Sequence, residues 1–89
     1  MKVKIPEEGG IVQSKRGRDC GKYYVIVEVR GQYAYLADGK TRTQAQPKKK
    51  NLKHLYLMPR NVFREGIARD GAFDNNVAHL LKGFGAGES

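Results

Sequence analysis

The clearest pattern in the chain lies between Tyr23 and Arg30, where Tyr23, Val25, Val27 and Val29 take every second position. A period of two is the spacing of a β-strand, whose successive side chains point to opposite faces. The residues are β-branched and aromatic, types that pack well on a pleated surface. The alternation predicts a strand over Tyr23–Val29 with the odd set in the core. The even set mixes Tyr24 and Ile26 with Glu28 and Arg30 and is expected to be half exposed. Ahead of it, Gly9-Gly10 precede Ile11-Val12, a first short strand, and the polar, basic stretch Gln13–Lys22 reads as the connecting loop.

After a turn at Arg30-Gly31-Gln32, Tyr33–Ala37 reads as the next strand, with Ala34 and Leu36 on one face and Tyr33 and Tyr35 on the other. Asp38-Gly39 is a hairpin signal, because both positions tolerate positive φ. It predicts that Lys40–Thr43 runs back as a short strand. Gln44–Asn51 holds Pro47 and three consecutive lysines and reads as a loop. Leu52–Met58 reads as a final strand with Leu55 and Leu57 buried, and Pro59 is expected to end the sheet.

Beyond Pro59 the period changes. Asp74, then Val77, Leu80 and Leu81, then Gly83, predict a short helix over about 75–82, with Asp74 as N-cap and Gly83 just past its end. Val77 and Leu81, four apart, would dock on the sheet. Residues 60–73 carry Val62, Phe63, Ile67 and Phe73 but no period that fixes their conformation, and the tail Gly85–Ser89 is expected to fray.

Four or five short strands on about 60 residues must hide their sheet edges, and curling into a small barrel does so. The expected fold is mainly β: an SH3-like barrel over residues 1–58, with 59–89 as an extension whose helix packs on or beside it. The length, 89 residues, suits one domain with a thin core. The longest apolar run, Tyr23–Val27, is too short to span a bilayer, so no membrane partnership is expected. The start, Met1–Pro6, lacks the apolar stretch of a secretory signal. A single cysteine, Cys20, excludes a disulfide framework within one chain, and a reducing cytoplasm is the expected compartment.

Charge sharpens the picture. The formal net charge is +8, and residues 1–58 carry all of it, with 13 Lys or Arg against 5 Asp or Glu. Such a field gathers polyanions: RNA, DNA or anionic lipid. Two basic segments carry it. The first connection holds Lys15, Arg16, Arg18 and Lys22, with Gly17 and Gly21 permitting sharp turns. Its arginines offer a planar fork of donors suited to phosphate. The second segment holds Lys40, Arg42, Lys48, Lys49, Lys50, Lys53 and His54 and no acid. Lys48, Lys49 and Lys50 cannot all face one way. Both segments flank one hairpin, so a barrel would bring them to one end.

Tyr24, Tyr33, Tyr35 and Tyr56 are candidates for stacking on bases, with half-burial on the sheet as the plainer reading of each. A metal site at His54 would have to recruit Cys20 and His79, too few for zinc, and none is expected. No Ser-His-Asp set, paired carboxylates or phosphate loop appears, so neither catalysis nor a cofactor is expected.

The stretch Gly10-Ile11-Val12-Gln13-Ser14-Lys15-Arg16-Gly17-Arg18-Asp19-Cys20-Gly21-Lys22-Tyr23-Tyr24-Val25-Ile26-Val27 resembles a KOW motif, with Gly21 at its fixed glycine. Ala37-Asp38-Gly39-Lys40, then Pro47-Lys48-Lys49-Lys50-Asn51-Leu52-Lys53-His54-Leu55, narrow the likeness to bacterial KOW-domain RNA-binding proteins. Those are similar to large-subunit ribosomal proteins six, fourteen and twenty-seven of the archaeal and eukaryotic type. The resemblance covers about residues 9–58. It implies an RNA-binding protein of the ribosome or its surroundings, with Lys15, Arg18, Lys22, Lys48, Lys50, Lys53 and His54 facing RNA. Cys20 departs from it, standing where a basic or polar residue is expected.

RNA binding by phosphate neutralisation is therefore the expected function, with ribosomal RNA the expected partner. The alternative is an SH3-like protein-binding adaptor of the translation or transcription machinery, whose apolar handle would be Phe63, Ile67 and Phe73.

Overall fold

Five antiparallel strands form one sheet: β1 (Gly10–Ser14), β2 (Tyr23–Arg30), β3 (Tyr33–Ala37), β4 (Lys48–Asn51) and β5 (Leu55–Asn61). Their order is β4-β3-β2-β1-β5, and a single 3-10 turn, Leu52–His54, joins the last two. Helix α1 (Phe73–Ala86) follows. The structure, a computed structural model, describes residues 5–86, with side chains through residue 84. No pairing joins β4 to β5 among the described residues, so the sheet is open. The chain is mainly β, and no described helix is long and apolar enough to cross a membrane.

Both faces of the sheet are apolar. On one, Val12, Tyr24, Ile26, Ala34, Leu36 and Leu55 form an inner cluster. This cluster draws on β1, β2, β3 and the first residue of β5. On the other face, Ile11, Val25, Val27 and Ala37 pack with Val62, Phe73, Val77 and Leu81. The even residues Tyr24 and Ile26 are thus buried, not half exposed, because each face has its own cover. The odd set also changes side. Ile26 pairs with Leu36 and Glu28 with Tyr35, leaving Val27 as an extra residue in a bulge. The bulge shifts the phase, and Val29 packs on the inner cluster while Val27 packs on the outer one.

Several predicted boundaries move. Lys40–Thr43 forms no strand: the Asp38 carboxylate accepts from the backbone N–H of Lys40 and of Arg42, both at 2.9 Å, closing a compact turn in place of a ladder. The return strand is Lys48–Asn51, read from sequence as loop, which pairs with Tyr33–Leu36. Lysines are tolerated there because β4 is an edge strand. Pro59 does not end the sheet. It lies in edge strand β5, where a missing N–H breaks no central ladder, at a bulge in which Ile11 faces Met58, Pro59 and Arg60.

The helix starts at Phe73, with Asp70 accepting from the N–H of Ala72 at 2.9 Å through its side chain and of Phe73 at 3.1 Å through its carbonyl. Asp74 is therefore not the cap, and its carboxylate instead accepts from the N–H of Gln44 at 2.8 Å. Gly83 lies inside the helix, and so do Gly85 and Ala86; the rest of the tail, 87–89, lies outside the described residues. Val77 and Leu81 do bury against the sheet. Phe73 is 0% exposed in that cluster, and Phe63 and Ile67 are half-buried against it.

Candidate nucleic-acid interface

The loop after β1 is shaped by its own backbone. Glycines at φ +90 (Gly17) and +93 (Gly21) supply turns that side-chain-bearing residues resist. Between them Cys20 N–H donates to the Gly17 carbonyl and Lys22 N–H to that of Asp19. Ser14, the last residue of β1, pairs with Leu55, the first of β5. That register sets the 3-10 turn beside the loop, and Lys15 N–H donates to the His54 carbonyl at 2.8 Å.

The loop also meets β4, through an acid. The Asp19 carboxylate, 6% exposed, accepts from Lys50 Nζ (2.7 Å) and Ser14 Oγ (2.8 Å) at Oδ1, and from Lys48 Nζ (2.7 Å) and the Tyr24 hydroxyl (3.0 Å) at Oδ2. Four donors fill its acceptor sites. Burial pushes the carboxyl's pKa up, but the bonds from Lys48, Lys50, Ser14 and Tyr24 outweigh burial and hold it well below the usual carboxylate range. Burial first, and then the Asp19 bond and charge, push the Tyr24 hydroxyl above its ordinary value, so it stays a donor. Lys50 Nζ also donates to the Arg16 carbonyl at 2.6 Å.

The two basic segments therefore converge, but not as eleven equal cations. Lys15, Arg16, Arg18 and Lys22 on the loop, and Lys53 on the adjoining 3-10 turn, are exposed and together are taken as the rim of the candidate interface. His54, half-buried, sits among them: desolvation, and then the charges of Lys53, Arg16, Lys50 and Lys15, depress its pKa. Lys50 is turned inward, its side chain 10% exposed, and Lys48 keeps 30%. Both face Asp19. Lys49, between them on the strand, points the other way, with Nζ 4.4 Å from the centre of the Tyr33 ring. Lys40 and Arg42, both exposed, belong to the connection 38–47, which is tied to the start of α1 through Gln44. Tyr24 is no stacking platform, being buried with its hydroxyl on Asp19. Tyr33 and Tyr35 are half-buried, whereas Tyr56 is 48% exposed.

The sequence points to neither Asp19 nor Ser14 as a site residue, and it offers Tyr24 for base stacking and not as a donor to Asp19. A signal existed: Asp19 is the one acid between Gly9 and Val27, and Lys48 and Lys50 are two apart, the spacing that puts both on one face of a strand. Among the described residues no group of three His, Cys, Asp or Glu is placed to hold a metal ion. No protein-family model matches the chain, and no curated protein matches it.

Proposed function

We propose that this protein binds structured RNA, ribosomal RNA in the first place, as a cytoplasmic binding protein of the translation machinery and not as an enzyme. One observation carries the reading: five exposed cations, Lys15, Arg16, Arg18, Lys22 and Lys53, stand on two neighbouring connections, and the acid on the first of them, Asp19, is already paired with two lysines. Left unneutralised, the rim attracts polyanions. The resemblance of residues 9–58 to KOW-domain proteins supports the same partner, and five short antiparallel strands in one sheet are the elements an SH3-like barrel would use. The adaptor alternative loses support, because Phe73, the centre of its apolar handle, is wholly buried.

Affinity on this reading comes mainly from phosphate neutralisation with release of counterions. Five contacts give a slope of log K against log salt of about −4. Binding of a fluorescent RNA stem-loop across a salt series measures it. Replacing Arg16, Arg18 and Lys53 together by alanine should reduce the slope to about −2. A flat wild-type response, or a triple variant that binds like the wild type, contradicts the proposal.

A further inference from the structure

Asp19 is an acid inside a basic rim, and its whole hydrogen-bonding capacity is committed within the protein. The bonds from Ser14, Tyr24, Lys48 and Lys50 join the end of β1, the start of β2 and strand β4 at one point. Lys50 adds a bond to the Arg16 carbonyl, so the turn 16–19 is held at both ends. Arg16 and Arg18, exposed on either side of Gly17, ride on that held turn. The same bonds draw Lys50 inward, to 10% exposure, and engage Lys48, which keeps 30%, so that one carboxylate offsets one of their two charges.

We propose that Asp19 sets the selectivity of the rim: by withholding Lys50, restraining Lys48 and fixing the 16–19 turn, it makes the surface favour RNA whose phosphates are already in a fixed arrangement over flexible single strands. The inference rests on the RNA reading above. Freed lysines on long stems raise affinity for any polyanion, because a flexible strand adapts to whatever cations it meets. A small, rigid set of cations gains most from a backbone that is rigid too, since little ordering entropy is then lost on either side. Asp19 thus exchanges general affinity for discrimination. It is a positioning residue and touches no RNA itself.

Three variants test this against two probes, an RNA stem-loop with an internal loop and a poly(U) strand of equal length, each bound across a salt series. Lys50→Met should leave the salt slope unchanged, because Lys50 is committed to Asp19, while Lys53→Met should reduce it by about 0.8. Asp19→Asn should steepen the poly(U) slope by about 1 or more and lower the ratio of stem-loop to poly(U) affinity about threefold or more. Amide hydrogen exchange at residues 16–19 should quicken in Asp19→Asn and not in Lys53→Met. If Asp19→Asn does not fold, the comparison of Lys50→Met with Lys53→Met still decides whether the lysine is withheld. Equal slope losses in those two lysine variants, or an unchanged affinity ratio in a folded Asp19→Asn, would overturn the proposal while leaving the RNA reading standing. A wild-type response flat in salt for both probes would remove the RNA reading, and this proposal with it.

Discussion

Replacing Asp19 by alanine should cost about 3 kcal/mol of stability. Removing one partner of a buried ion pair typically costs about 3–5 kcal/mol, because the remaining charge is left uncompensated. Here the losses differ by partner. Lys48 is 30% exposed and can turn toward water, and Lys50 retains the Arg16 carbonyl, as does Ser14, whose hydroxyl lies 3.0 Å from it. The Tyr24 hydroxyl, buried, loses its acceptor. These reliefs place the cost at the low end of the range. A chain of this size has a total stability of about 4–13 kcal/mol, so the variant forfeits a quarter or more of it. Urea unfolding should show a lower midpoint with an unchanged slope, and the melting temperature should fall by roughly 12–24 °C. Acid supplies an internal control. The Asp19 pKa is lowered from its ordinary value of 3.8, so its contribution is complete above that value and is lost as pH falls toward the depressed folded pKa. The gap between wild type and variant should hold steady from pH 7 to about 4 and narrow below. A cost under about 1 kcal/mol, or a gap as wide at pH 2 as at pH 7, would refute the account of the carboxylate as a buried, ionised pin.

The other predictions concern the rim and the core. RNA affinity should rise as pH falls from 7.5 to 5.5, because desolvation and the neighbouring cations keep the His54 ring neutral at pH 7 and a bound polyanion favours its protonation; titration of binding against pH should show proton uptake in the wild type and none in His54→Gln. Without RNA the sign reverses for folding: the depressed pKa means that His54 favours the folded state above its ordinary value of 6.5 and ceases to as pH drops through the folded value. Phe73→Ala should destabilise by about 3–5 kcal/mol in urea unfolding, and a loss below about 2 would mean that the outer cluster is not packed as described. Gly39→Ala should be far more damaging than Gly21→Ala in the same assay. Both sit at positive φ, but a Cβ at Gly39 would lie 2.0 Å from the Asp74 carbonyl oxygen, whereas at Gly21 it would meet nothing within 4 Å.

How much of this was legible in the sequence depends on how local its cause is. Tyr33–Ala37 is a strand over the residues that its alternation marks, and Val77 and Leu81 dock as their spacing requires. Both follow from a period carried by adjacent residues. The burial of Tyr24 and Ile26 does not, since it depends on which elements cover each face. The Val27 bulge, which sends Val29 to the opposite cluster, is set by pairing with β3 and leaves no mark in β2 itself. Pro59 and the lysine run were read as breakers because an average strand excludes them, yet edge strands admit both. At the site, the convergence of two basic segments was visible as charge. Its division into a rim of free cations and a pair held by Asp19 was not, because Asp19 and Lys48 lie 29 positions apart and meet only across the folded sheet.

An antiparallel sheet can leave one side wet when that side is polar, but here Ile11, Val25, Val27 and Ala37 wait for cover that arrives with Val62, Phe73, Val77 and Leu81. The order of synthesis then matters. When the strands have emerged but residues 62–81 have not, an oily surface stands open to the cell, and the nascent product is prone to clump. The residues made later are the ones that render the earlier ones safe.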